Sequence, residues 1–254
     1  MINKTLLLII KIFIVGILSS AYAEEFNIKS EKINISGVNG EVEALGSVEV
    51  ITDNNLKITG DKIIIDKKNS ILKAYGNIVF LDDSKNIKIF SDETIYEKNK
   101  DLLYFNGTSK AELENNYIFE TENLYFNRQV KRIYSDKPST LKDENDLVLK
   151  FKKFTFDLNE KILKVVKFNL VDINKNTFNL DEAVININNK EIIGKDAKLY
   201  FDQNTFGNNE NDPRLFGRSL SDNSEETLVY KGIFTTCKSV SYTHLRAHET
   251  RHDL

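Results

Sequence analysis

The sequence has no tryptophan, one methionine, one cysteine, two prolines and three histidines in 254 residues. The one cysteine, Cys237, cannot close a disulfide within the chain, so no covalent staple carries the fold. In an oxidising compartment an odd cysteine points to a missing partner or a thiol left reduced. Neither sign of charge dominates: 35 basic and 38 acidic residues are interspersed for a net charge of −3, and no basic stripe suits a nucleic-acid backbone. Helical periodicity is almost absent after residue 23, and no later stretch is apolar enough to cross a membrane as a helix. With so little proline, little stands in the way of strand pairing, and 10 Tyr and 16 Phe supply the aromatic side chains that strands favour.

What is present begins with a processing segment. Lys4 precedes the apolar stretch "LLLIIKIFIVGIL", broken only by Lys11, and "SSAYA" places small residues at Ala21 and Ala23 ahead of Glu24. That pattern predicts a signal helix over residues 1–23, cleaved on export. About 230 residues remain, enough for one large or two modest domains.

From there the chain is a series of short alternating runs, among them "NLKITGDKIIID", "ILKAYGNIVFL", "YIFETENLYFN", "KFKKFTFDL", "ILKVVKFNLVD" and "TFNLDEAVININ", separated by polar turns such as "DKKNS", "DDSKN" and "EKNKD". They read as antiparallel strands joined by tight turns. The runs also repeat with a period of roughly 30 residues, the mark of stacked supersecondary units. Gly46, Gly76 and Gly107 form one series, Asp61, Asp92 and Glu122 another, and "IIGKDAKLYFD", ending at Asp202, is a later copy. One unit is two strands and two turns, and it buries its apolar face only against its neighbours. Alternation puts Leu72, Ala74, Ile78 and Phe80 on one side of their strand and Lys73, Tyr75, Asn77 and Val79 on the other. Phe154 and Phe156 share a face with Lys152; Ile162, Val166, Phe168 and Leu170 align, with Lys164 the exception. Such a stack folds over into a jellyroll or stays an open trough.

The repeat phrases, together with "NDPRLFGRSLSDNSEETLVYKGIFTTCK" at residues 211–238, resemble the OstA-like domains of lipopolysaccharide-transport proteins, and within them the periplasmic domain of the LptD family. The resemblance spans roughly residues 40–238. It implies an all-β fold of stacked antiparallel strands forming a V-shaped OstA-like β-jellyroll over residues 24–210, then a lead-in over 211–238 toward a β-barrel that is missing here. Further implied are binding of lipid A acyl chains along the apolar interior and delivery of lipopolysaccharide to the barrel. The groove would be lined by Leu72, Ile78, Phe80, Phe154, Phe156, Val166, Phe168 and Leu170. The resemblance also places Cys237 where that family carries a disulfide cysteine. Its implied partners are lipopolysaccharide, a periplasmic bridge protein of OstA-like fold docked by strand-edge pairing, and the outer-membrane lipoprotein partner of the full-length barrel. The location implied is the periplasm and outer membrane. Catalysis is not required, and neither a cofactor nor a metal is expected. A free-standing bridge protein of the LptA type, or a ligand-free structural β-solenoid or adhesin, remains an alternative.

One string invites a different reading. "HETRH", His248–His252, matches His-Glu-x-x-His, which on a helix aims two imidazoles at zinc beside a glutamate base. All three histidines, His244, His248 and His252, fall in the last eleven residues, and the vocabulary changes at Ser239 from Ile, Asn and Lys to Arg, His and Ala. A zincin needs its motif on a buried helix, with a third ligand downstream and a cleft; here the sequence stops two residues beyond His252. Residues 239–254 are expected to be a non-native tail, resembling translated adapter sequence, or a disordered one. A second string, "ENLYFN" at residues 122–127, is close to a processing-protease site but lacks the required glutamine and alternates as a strand does.

Overall fold

The computed structural model describes residues 26–36, 41–207, 211–223 and 225–237, and all its regular structure there is strand apart from four single 3-10 turns. The strands are β1 (Phe26–Lys29), β2 (Lys32–Ser36), β3 (Glu41–Thr52), β4 (Lys57–Asp66), β5 (Ile71–Asp82), β6 (Ile87–Glu97), β7 (Leu102–Asn106), β8 (Ser109–Glu112), β9 (Ile118–Thr121) and β10 (Leu124–Asn127). They continue as β11 (Arg132–Ser135), β12 (Ser139–Lys142), β13 (Val148–Phe151), β14 (Lys153–Asp157), β15 (Ile162–Val171), β16 (Thr177–Asn186), β17 (Glu191–Tyr200), β18 (Arg214–Asp222), β19 (Thr227–Tyr230) and β20 (Ile233–Thr235). Every pairing is antiparallel, so the expected all-β, strand-stacked class is the one observed. The signal segment 1–23 and the tail 239–254 lie outside the described residues.

The sheet is a meander of bent segments. Each pass of the chain runs straight for about half its length, bends, and continues in a second direction. β3 to β6 and β15 to β18 make the bend without a break; elsewhere it separates two short strands, such as β7 from β8 and β13 from β14. One set of halves forms a first wing, with turns at 67–70, 98–101, 128–131, 158–161 and 187–190. The other set forms a second wing, with turns at 53–56, 83–86, 113–117, 143–147 and 172–176. The wings meet along the bend and fold face to face: Phe80 of the second wing lies 5.7 Å from Phe105 of the first, and Phe119 lies 4.7 Å from Phe154.

The repeated residues of the sequence build the bend. Gly46 and Ser47 of β3 oppose Asp61 of β4 alone, and Gly76 and Asn77 of β5 oppose Asp92 of β6 alone. Gly76 has φ 74° and Asn77 φ 49°. A methyl group on Gly76 would lie 2.4 Å from an Asp61 carboxylate oxygen, and one on Gly107 would lie 2.5 Å from Asp92. The 30-residue rhythm is therefore a row of glycines, each roofed by a carboxylate from the preceding pass. In the later copy Asp196 sits at the bend with φ 51°, and Asp202, the last residue of the phrase, closes the following turn by accepting from the Asn204 amide at 2.9 Å.

Polar turns work as their composition suggests. Asp143 accepts from the Asn145 and Leu147 amides at 2.9 and 2.8 Å, and Asp172 repeats the pattern with Asn174 and Asn176, both at 2.8 Å. β18 pairs along β17 from Ile192↔Asp222 to Tyr200↔Arg214, and β19 and β20 pair with β18. Strand pairing thus runs on through the boundary expected at residue 210.

Candidate functional site

Between the wings lies one cluster of buried apolar side chains extending from Phe26 in β1 to Leu220 in β18. Leu72, Ile78, Phe80, Phe154, Phe156, Phe168 and Leu170, the residues expected to line a groove, are all in it. Val166 is not. It is 37% exposed and points outward, because β15 changes side at Val166 and Lys167, where Lys167 takes φ 56°. Leu163 and Val165 face inward before the bend, Phe168 and Leu170 after it. Alternation counted back from Phe168 is one residue out of phase beyond that point. Lys152, read as sharing a face with Phe154, also sits at the bend and is exposed.

The interior is closed along most of its length. Phe80, Phe105 and Phe126 pack edge to face, with centroids 5.7 and 6.1 Å from Phe80, and Phe119 stacks on Phe154 at 4.7 Å with Phe156 tilted against it at 5.6 Å. Phe105, Phe119 and Phe126 were not singled out from sequence, although "LYFNG" and "YIFETENLYFN" carry the same alternation as the strands that were. The folded-over alternative, not the open trough, is the one formed.

Packing loosens in the last third of the stack. Leu141, Leu147, Leu149, Leu170, Ile185 and Ile192 surround an apolar cavity of about 100 Å³. A second cleft of about 150 Å³, sharing Tyr117, Ile187 and Lys190 with it, opens between the turns and is rimmed by Glu114, Glu144, Lys161 and Lys190. Leu170 there is 9% exposed, whereas Leu72 and Phe80 are wholly buried.

At the opposite end the turns of the two wings are tied by buried polar groups. The Arg128 guanidinium donates to Asp82 at 3.1 Å and to both Asp101 oxygens at 2.7 and 3.0 Å. Burial opposes its charge, but hydrogen bonding and attraction from Asp101, then Asp82, outweigh that and hold it above its ordinary range. Tyr96 donates to Asp101 at 3.2 Å and accepts from Asn54 at 3.4 Å; burial pushes its phenol up to about 12.

The two ends of the sheet carry exposed apolar residues: Ile33 and Ile35 in β2, and Leu228, Tyr230, Ile233 and Phe234 in β19 and β20. Cys237 is exposed; its carbonyl accepts from Arg214 at 2.9 Å and its amide donates to Thr235 Oγ1 at 3.3 Å. The histidine motif falls outside the described residues, and among the described residues no three metal-ligating side chains are grouped.

Neither a family model nor a curated protein matches this chain. Among solved structures, the chain is similar to LptH, the LptA-homologous periplasmic component of the conserved lipopolysaccharide transport device from Pseudomonas aeruginosa. The identity is 17% and the TM-score 0.39, covering 42% of this chain and 79% of that one.

Proposed function

We propose that the chain is a lipopolysaccharide-transport module that takes acyl chains of the lipid A type between its two wings. The observation that carries the reading is the continuity of the apolar interior from β1 to β18, which runs beside a buried row of mutually hydrogen-bonded hydroxyls at the bend, Ser91 with Thr94 and Thr121 with Ser135 and Ser139. Hydrocarbon tails moving through water need such a path, since each methylene withdrawn from water is worth about 0.8 kcal/mol. The cavity lined by Leu141, Leu149, Leu170 and Ile185 is where a tail first finds room. Charged turns beside it, with Lys161 and Lys190 at the rim, suit an anionic head left in solvent.

On this reading the protein does no bond chemistry and works in the periplasm, against the outer membrane. Its partners are lipopolysaccharide and a bridge protein of similar fold, docked by pairing at β2 or at β19 and β20, whose exposed apolar side chains suit strand addition. An outer-membrane lipoprotein belongs to the same scheme if a barrel follows. Residues 211–237 join the sheet as β18 to β20, so they do not by themselves separate an LptD-like chain from a free-standing LptA-like bridge. The dense Phe80–Phe105–Phe126 cluster favours a second reading, a purely structural stack with no ligand.

Photocrosslinking separates the two. A photoreactive residue at Leu170 or Leu149 should capture lipopolysaccharide, and one at Val166, on the outer face, should not. Equal capture at all three positions, or none at the interior ones, contradicts lipid binding between the wings.

A further inference from the structure

The mouth of the clamshell, where the turns of the two wings approach, is crossed by a regular row of ion pairs. Lys98 meets Asp53 at 2.9 Å, Arg128 meets Asp82 at 3.1 Å, Lys161 meets Glu114 at 3.0 Å and Lys190 meets Glu144 at 3.5 Å. In every rung the cation comes from a first-wing turn and the carboxylate from the second wing, at or beside a turn. Three of the rungs join positions 46 or 47 apart. The cations recur roughly every thirty residues, the period of one two-strand unit. The same repeat that builds the bend on one side therefore builds a fastening on the other.

From Arg128 onward the rungs are graded by exposure. Arg128 and Asp82 are 9% and 2% exposed; Lys190 and Glu144 are 62% and 45% exposed. Exposed pairs are worth little, whereas breaking a buried, hydrogen-bonded pair strands a charge. The two outer rungs, Lys161–Glu114 and Lys190–Glu144, rim the same cleft that leads to the apolar cavity.

We infer that this row is an electrostatic latch on the lipid path, resting on the function proposed above: it holds the wings shut over the unloaded interior and releases from the Lys190–Glu144 end when an anionic amphiphile arrives. The amphiphile's acidic head competes with Glu114 and Glu144 for Lys161 and Lys190 while its tail enters the space behind them. The Arg128–Asp82 rung, with Lys98–Asp53 beyond it, stays closed as the hinge end, so the mouth opens as a wedge and the Phe80 cluster remains packed.

The test combines two readouts on the full chain: hydrogen exchange of the amides in β12, β13, β16 and β17, and fluorescence of cis-parinaric acid, an 18-carbon acyl probe that brightens in apolar surroundings. Reversing both outer cations, Lys161→Glu with Lys190→Glu, should speed exchange roughly two- to five-fold, the factor an exposed pair is worth, and should speed probe uptake similarly. Adding Glu114→Lys and Glu144→Lys restores the rungs with the charges swapped and should return both readouts to those of the parent. Should the double variant fold poorly, the parent itself suffices. Raising salt from about 0.1 M to about 1 M shortens the Debye length from roughly 10 to roughly 3 Å and should accelerate exchange at the outer rungs but not around Arg128. Exchange indifferent to charge reversal and to salt, or a swap that fails to restore it, overturns the latch. Exchange that responds as described while no form takes up the probe upholds the latch and overturns lipid binding.

Discussion

At Gly76 the absence of a side chain decides how a strand bends. The residue sits at φ 74° with the Asp61 carboxylate where a methyl group would be. Gly76→Ala should therefore cost about 2 kcal/mol in urea unfolding, half from left-handed backbone strain and half from the clash. In an Asp61→Ala background the same change should cost about 1 kcal/mol, because only the strain remains. Equal costs in both backgrounds would remove the carboxylate roof from the explanation. Tyr96 offers a pH signature. Its phenol ordinarily titrates at 10.0 and burial lifts it to about 12, so between those values the unfolded chain releases a proton that the folded chain keeps. Its contribution is complete below about pH 10 and declines as pH rises toward 12, by at most about 2.7 kcal/mol. Tyr96→Phe should show a correspondingly flatter loss of stability over that range, measured by chemical unfolding at stepped pH; parallel curves would contradict it.

At the scale of the strand, the runs of alternating residues and the polar turns were legible, and so was the two-strand unit, because a period of two and an Asx-type turn are local facts. The change of side at each bend was not. In β5 the apolar set keeps its parity through Gly76 and Asn77, so Leu72, Ile78 and Phe80 were placed correctly; in β15 it flips at Lys167, and Val166 was placed on the wrong face. Nothing in "KVVKF" marks that flip: lysine is an unusual residue at positive φ, and here it replaces the glycine of the earlier copies at the bend. The consequence can be measured within one strand. Val166→Asn should change stability by less than about 0.5 kcal/mol, whereas Phe168→Arg, two positions on, should cost more than about 3 kcal/mol by burying an unpaired charge. A severe effect at Val166 would mean that the bend lies elsewhere. The closed interior also means that an arginine at Phe168 or Ile78 probes folding before it probes lipid binding.

At the scale of the molecule, a repeat of glycines and carboxylates on one side and of cations and carboxylates on the other turns a flat meander into a closed book. Its pages touch through phenylalanines of β5 to β14, in the middle of the stack, and part slightly near Leu149, Leu170 and Ile185. Sequence could mark the residues that face inward at most positions, but not whether the book stands open, since that depends on contacts between residues about 46 positions apart that no local pattern reports. The cavity of about 100 Å³ at the loose end admits only part of a fatty chain, and binding a whole one requires the wings to move apart there. The distance across that mouth is the direct test. With Cys237 replaced by serine and spin labels on Cys substituted for the exposed Asn115 and Asn188, pulsed electron resonance should show a short, narrow distance in the unloaded protein. Saturating lipopolysaccharide should make it longer and broader. A distance that stays the same while lipopolysaccharide is bound would contradict uptake between the wings.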